Sequence, residues 1–256
     1  MDKVSVRRNY CVPFHMTQND PFGDPFSSGG TLPADLPDHP WDIFKAWWDE
    51  AHTGDEGKPI EAHPNAMALA TLGESGMPSN RIVYCKGMDL SAGWICFYTN
   101  YNGRKARQLA ANPKAAAGFH WSILHRQACI EGHVVKSPPE ESDAYFASRA
   151  LISRLGAWAS HQSEPITSRE DLLMQYAKVM ERFGVGVDTI MNDVEGRNIT
   201  IPRPEHWGGY RIWATRVELW IGGKGRFHDR AVWTRELTPE GDGFSGGPWQ
   251  VTRLQP

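Results

Sequence analysis

The stretch Arg226-Phe227-His228-Asp229-Arg230 follows Trp220-Ile221-Gly222-Gly223 and carries three cationic or titratable side chains at alternate positions. On an extended strand, residues two apart point to the same face. Arg226, His228 and Arg230 are therefore expected to share a face, with Phe227 and Asp229 on the other. Three such groups side by side repel one another unless an anion lies among them, and phosphate or carboxylate is the simplest anion to match a guanidinium. The pattern predicts a grip on an anionic small molecule.

Four earlier segments carry related chemistry. In Arg81-Ile82-Val83-Tyr84-Cys85-Lys86 a strand would turn Arg81, Val83 and Cys85 one way and Ile82, Tyr84 and Lys86 the other, although charged strand ends are equally well explained by solvation. Tyr98-Thr99-Asn100-Tyr101-Asn102-Gly103-Arg104-Lys105 runs from a strand through a polar turn into a helix whose first residues are basic. The free N–H groups of a helix start favour anions, and adjacent Arg and Lys are unfavourable there without one. It is neither a Walker loop nor a GxGxxG. Tyr145-Phe146-Ala147-Ser148-Arg149 with Ser153 offers hydroxyls and a guanidinium that would cup a phosphate; capping and surface solvation account for them equally well. Ser160-His161-Gln162-Ser163, read alone, is a loop.

The elements that must position these groups are mostly short strands. Ala66–Leu72, Asn80–Lys86, Trp94–Thr99, Ala115–Trp121 and Gln127–Lys136 are strand-like, with turns at 73–76 and 89–93. Further strands are predicted over Tyr210–Trp213, Arg216–Ile221, Arg230–Glu236 and Trp249–Leu254. Helices are predicted after Pro40, with Trp41, Phe44, Trp47 and Trp48 at helical spacing, and over Arg104–Ala111, Glu140–Ser148 and about Leu151–Ser160. A longer helix starts at Ser168, whose spacing to Asp171 matches a capping box. Its buried stripe would be Leu172, Leu173, Tyr176, Val179, Met180 and Phe183. Residues 184–205 read as a loop, and 1–35, rich in turn formers, as an arm. The fold class is mainly β with helices (α+β), a small antiparallel barrel with helical decoration.

Composition narrows the class. The 256 residues balance Lys+Arg 27 against Asp+Glu 30, a net charge of −3, which argues against a general nucleic-acid binder. The four cysteines, Cys11, Cys85, Cys96 and Cys129, lack metal-ligand spacing, and three lie in apolar strand-like runs, so reduced thiols, no metal and a cytoplasmic setting are expected. Residues 1–8 lack the apolar core of a signal peptide, and no apolar run approaches a membrane span. Eleven Trp are as readily core filling as pocket lining.

Taken in order, Arg-Ile-Val-x-x-Lys, Tyr-Thr-Asn-x-x-x-Arg-Lys, Arg126-Gln127, Tyr-Phe-x-Ser-Arg, Gly-Ala-Trp-x-Ser-x-Gln-Ser, Trp207-Gly208-Gly209-Tyr210, Glu218-Leu219-Trp220, Arg-Phe-His-Asp-Arg and the closing Arg253-Leu254-Gln255-Pro256 form a series. This series resembles the pyridoxine (pyridoxamine) 5′-phosphate oxidases, FMN flavoproteins of the antiparallel split β-barrel fold, from about Leu32 onward. The resemblance implies a mobile arm over 1–35 and one FMN-binding domain over 36–256, which includes a C-terminal dimerisation and substrate-binding region. It implies a homodimer with FMN at the interface. Arg81, Ile82, Val83, Lys86, Tyr98, Thr99, Arg104 and Lys105 would bind FMN, with Gln127, Gln162, Ser163, Trp220 and Arg230 completing the flavin pocket. Lys86, Tyr145, Arg149 and Ser153 would meet the substrate phosphate, Arg226 and His228 would lie over the pyridine ring as the catalytic pair, and Arg7 and Tyr10 would belong to the arm covering the site. The implied reaction moves a hydride from C4′ of pyridoxine or pyridoxamine 5′-phosphate to flavin N5. Reoxidation by O2 then gives hydrogen peroxide beside pyridoxal 5′-phosphate.

The series departs from the family pattern at Ala150, Ile152, Arg154 and Ile221, and 11–30 and 184–201 look like additions. These departures bear on the substrate side. Two other functions stay open: a related flavin oxidase acting in phenazine-type metabolism, and a non-catalytic protein that binds FMN or pyridoxal phosphate. Lys86 with Tyr145, Arg149 and Ser153 favours the vitamin B6 substrate over the first, and Arg226 with His228 speaks against the second.

Overall fold

Alternating inward side chains build most of the barrel wall in the computed structural model, which describes residues 30–54, 58–192 and 199–256. Arg7, Tyr10 and Cys11 lie outside the described residues. Strands β1 (Ala66–Leu72), β2 (Pro78–Tyr84), β5 (Lys114–Trp121), β6 (Arg126–Lys136), β7 (Trp207–Ile221), β8 (Asp229–Thr234) and β11 (Gln250–Leu254) run in the order β11-β8-β7-β6-β5-β1-β2, all neighbours antiparallel. The hairpin β3 (Gly87–Asp89) and β4 (Trp94–Asn100) joins through β4 to β7, and β9 (Leu237–Glu240) pairs separately with β10 (Gly243–Gly246). The architecture is an antiparallel α+β split barrel.

Met67 and Leu69 on β1, Ala115, Ala117, Phe119 and Trp121 on β5, and Ala128, Ile130 and Val134 on β6 turn inward at period two. Helix α1 (Trp41–His52) closes this core with Trp41, Phe44, Trp47 and Ala51; Phe44 meets Phe119 edge-on at 5.6 Å. A second apolar cluster lies among α3 (Pro139–Ser148), α4 (Leu151–Ala159), α5 (Arg169–Arg182) and the start of β7, around Phe146, Leu155, Val185, Ile201 and Trp207. Six of the eleven Trp are buried, so core filling explains most of them. Cys85 and Cys96 are buried free thiols and Cys129 is half-buried. Among the described residues no helix is long and apolar enough to cross a membrane, and no His, Cys, Asp and Glu group is arranged to hold a metal.

Several expectations need correction. The two strands expected over 210–221 are one, because β7 continues through Ala214 and Thr215 opposite a register shift between Glu131 and Gly132. A Cβ on Gly132 would lie 1.8 Å from the Trp213 carbonyl oxygen, so only glycine permits this approach. Gly132→Ala is expected to cost about 3 kcal/mol, read from the denaturation midpoint; an unchanged midpoint would mean the bulge relaxes freely.

The second expected strand shifts to β2, ending at Tyr84. Beyond it Cys85 N–H bonds to Asn65 O and Lys86 N–H to Cys96 O, so the chain passes from β1 to β4 there. Ser168 does cap α5, its Oγ accepting from Asp171 N–H at 3.0 Å. Yet Leu172 and Leu173 are exposed, because α5 leans on the second cluster only through Tyr176, Val179, Met180 and Phe183. The expected loop after 183 contains a short helix α6 (Val187–Asn192), and residues 193–198 lie outside the described residues. Leu32 is buried and its N–H bonds to Asp229 Oδ2 at 2.8 Å, while Arg253 donates to the Pro33 and Ala34 carbonyls, so 32–35 belong with the sheet.

Candidate functional site

A cavity of about 650 Å³ opens where β2, β4, α2 (Arg104–Ala111), the α3–α4 junction and the start of β7 converge. The edge strand and its exit contribute Arg81, Ile82, Val83 and Lys86; β4 contributes Tyr98 and Thr99, and α2 contributes Lys105. Tyr145, Arg149 and Ser153 enter from α3 and α4, Gln162 from the following loop, and Trp207 from β7. Two groups that the sequence assigned to different phosphates therefore share one cavity.

Its electrostatics are one-sided. Four cations line it and no lining residue is acidic. Burial and the charge of Arg104 pull the Arg81 guanidinium below its ordinary value, burial and Arg81 do the same to Lys105, and burial does it to Arg149. Arg149 Nη1 is buried without a hydrogen-bond partner. An unpaired buried guanidinium nitrogen is costly, and a dianionic phosphate would satisfy it. The donor set fits such a group.

Neutral partners hold the cations in place. Lys105 Nζ donates to Thr99 Oγ1 at 3.0 Å and to Gln162 Oε1 at 2.7 Å. Arg81 is braced by Thr71 Oγ1, Ser79 Oγ and Gln108 Oε1. At the mouth, Arg104 N–H donates to Ser163 Oγ at 3.1 Å. Gly103 permits this closeness, since a Cβ there would lie 2.5 Å from Gln162 Oε1. Arg104 and Ser163 flank the cavity without lining it.

Gln127, Trp220, Arg226, His228 and Arg230 form a separate group. Gln127, Trp220 and Arg230 are register neighbours across β6, β7 and β8. The His228 ring lies 4.7 Å from that of Trp220, and its Nδ1 accepts from Gly223 N–H at 3.1 Å. The expected shared strand face is corrected here: β8 begins only at Asp229, and Arg226 sits in a 3₁₀ turn, Lys224–Arg226, at φ 67°. Arg226 is exposed. Ser163, at φ 72°, shares this backbone conformation, which is costly for a non-glycine residue and often marks functional sites.

Arg230 is not waiting for an anion as the alternating-charge argument supposed. It donates Nε and Nη2 to Glu218 Oε1 at 3.0 and 2.7 Å, and Arg216 bonds the other carboxylate oxygen at 2.6 Å. Burial pushes the Glu218 carboxyl up, but hydrogen bonds from Arg230 and Arg216 pull it down further, leaving it below 4.5. A carboxylate depressed in this way stabilises the fold above its unfolded-state value, and the contribution is lost as pH falls through the folded value. Glu218→Gln should therefore lose stability at neutral pH and lose less than the parent as pH falls below about 4.5. Parallel stability profiles for the two proteins would refute this.

One strand measures the separation of the two groups. Trp207 lines the cavity and Trp220 carries the His228 cluster, both on the unbroken β7. At about 3.3 Å per residue they stand about 40 Å apart along the strand.

Sequence reasoning did not single out Trp207 as a site residue, nor Thr71, Ser79 and Gln108 behind Arg81. For Trp207 the available signal was the Gly208-Gly209 pair, which marks close backbone approach. A Cβ on Gly209 would lie 2.9 Å from Tyr98 Cε1.

Comparison with known proteins bears on both groups. Residues 54–182 match the family described as pyridoxamine 5′-phosphate oxidase, and residues 207–256 match the pyridoxine 5′-phosphate oxidase C-terminal dimerisation region. A pyridoxine/pyridoxamine 5′-phosphate oxidase of Cupriavidus pinatubonensis is 41% identical over 99% of this chain and 98% of its own length. One from Burkholderia mallei is 44% identical over 87% of this chain and 92% of its own. Among solved structures, PhzG from Burkholderia lata in complex with tetrahydrophenazine-1-carboxylic acid has a TM-score of 0.69 at 26% identity, covering 89% of this chain and all of that one. A pyridoxamine 5′-phosphate oxidase-related, FMN binding protein from Nostoc punctiforme has a TM-score of 0.59 at 14% identity, over 85% and 98% of the two chains, which speaks to the fold alone. The first family match contains every cavity residue but Trp207, the second contains Trp207 and the Trp220–Arg230 cluster, and the likeness to full-length relatives runs through both: the chain belongs to the pyridoxine/pyridoxamine 5′-phosphate oxidase family of oxidoreductases.

Proposed function

We propose that the protein is an FMN-dependent oxidase that converts pyridoxine or pyridoxamine 5′-phosphate to pyridoxal 5′-phosphate, reducing O2 to hydrogen peroxide. The observation that carries this reading is the cavity with four cations and no acid, in which Arg149 Nη1 lacks a partner. Arg81 and Lys105, with Arg104 and Ser163 at the mouth, hold the cofactor phosphate, and Ile82, Val83, Tyr98, Thr99 and Gln162 line its path. Lys86, Tyr145, Arg149 and Ser153 hold the substrate phosphate. FMN, when bound, supplies the hydride acceptor that is later reoxidised by O2.

The rest of the site comes from a second copy of the chain in a homodimer: Gln127, Trp220, Arg226, His228 and Arg230 do not line the cavity, and the last four lie in the stretch that matches the dimerisation region. Arg226 would orient the substrate ring, and its charge would offset the negative charge that the hydride carries to the acceptor. His228, its Nδ1 already engaged by Gly223 N–H, has Nε2 left to hydrogen-bond ring substituents or move a proton. Holding the reacting carbon against the flavin is the work of proximity.

The likeness to PhzG favours a second reading, a flavin oxidase acting on a phenazine precursor. Lys86, Arg149, Tyr145 and Ser153 on one cavity wall favour a phosphorylated substrate instead. Peroxide release decides, measured side by side with pyridoxine phosphate, pyridoxamine phosphate and tetrahydrophenazine-1-carboxylic acid. Turnover of the last alone would replace the vitamin B6 reading. A preparation that takes up no FMN would end both.

A further inference from the structure

Arg149 Nη1 has no hydrogen-bond partner, yet the guanidinium is held in place. Its guanidinium carbon lies 4.6 Å from the Trp207 ring centre and 5.6 Å from that of Phe146. Trp207 in turn lies nearly parallel to two tyrosines, at 12° to Tyr98 and 10° to Tyr145, whose own rings stack 4.0 Å apart. Gly208 and Gly209 allow this packing, since a Cβ at Gly208 would lie 2.1 Å from Tyr101 Oη and one at Gly209 2.9 Å from Tyr98 Cε1. A buried indole at the edge of the second cluster would serve as core filling anywhere. Here it stacks against the Arg149 guanidinium and lies parallel to the two tyrosine rings that line the cavity.

We propose that Trp207 is a positioning residue: its indole face fixes the Arg149 guanidinium so that the unpartnered Nη1 edge is presented to a phosphate in the cavity. A guanidinium stacked on an aromatic face keeps its in-plane N–H groups free for bidentate bonding, which a lysine in the same place does not reproduce. This rests on the reading of Arg149 as the substrate-phosphate ligand.

The test compares holoenzyme variants by KM for pyridoxine 5′-phosphate and by the inhibition constant of inorganic phosphate. Trp207→Met fills the space without an aromatic face, whereas Trp207→Phe keeps a ring. Trp207→Met should raise KM and weaken phosphate inhibition about tenfold, most of the loss in kcat/KM residing in KM, while Trp207→Phe stays within about threefold of the parent. Arg149→Lys should match the rise of Trp207→Met, and the double variant should add little to either. Equal values for Trp207→Met and Trp207→Phe, or a parental KM in Trp207→Met, would overturn the platform. If Trp207→Met gives no folded holoenzyme, Arg149→Lys decides, and a parental KM there overturns it. Arg149→Ala separates the two levels. A parental KM in that variant removes the phosphate reading itself, whereas a raised KM beside an unaffected Trp207→Met removes only the role of the indole.

Discussion

Protein carrying Arg81→Met and Lys105→Met together is expected to leave purification colourless, its affinity for FMN lowered about a thousandfold. Each side chain would donate charge-assisted hydrogen bonds to a dianion, at about 1.5–3 kcal/mol apiece. The fold should survive the change. Thr71 Oγ1 and Ser79 Oγ still donate to Gln108 Oε1, at 2.6 and 2.8 Å, once the guanidinium is gone. Thermal unfolding of the apoprotein checks that point, and titration of FMN followed by fluorescence checks the affinity. A yellow double variant with parental affinity would place the cofactor phosphate elsewhere.

The second large effect appears only when two defective proteins are mixed. Lys105→Met alone and Arg226→Ala alone should each lose most of their turnover, the second with flavin retained. Co-expressed, they should recover about a quarter of the parental activity. In a mixed dimer one site inherits both lesions and the other inherits neither, and random pairing makes half the dimers mixed. This outcome follows from the proposal that the cavity of one chain is completed by the Trp220–Arg230 group of the other, none of which lines the cavity of its own chain. Absence of recovery, in mixed dimers isolated by two different affinity tags, would mean that each chain builds its own site.

Much of this architecture was legible in the residues. The strands β1, β4, β5 and β6 show clean period-two burial or continuous apolar runs, so their limits fell within a residue or so of expectation. The continuity of β7 was hidden because Ala214-Thr215-Arg216 breaks the apolar run, and the reason it continues lies 80 residues earlier in a bulge at Gly132. Short strands β3, β9 and β10 carry too few residues to show a period. For the site, the basic and hydroxylic residues were visible as types, but their grouping was not. The alternation of Arg226, His228 and Arg230 suggested one strand face; the turn at Gly225 and Arg226 undoes it, and no periodicity reports a turn of this kind. Nor does sequence spacing reveal that Arg230 is already answered by Glu218, twelve residues away across the β7–β8 ladder.

The buried cysteines acquire a meaning from the proposed chemistry. An enzyme that releases hydrogen peroxide exposes its own sulfur atoms to an oxidant, and the species attacked is the thiolate. Burial pushes the Cys85 thiol up to about 12, and it also raises Cys96 and Cys129. At neutral pH the Cys85 thiol therefore stays protonated, although its chain neighbour Lys86 lines the cavity. These three sulfurs are thus kept as unreactive thiols, and under the proposed chemistry the catalyst should outlast many turnovers without sulfenylating itself at any of them.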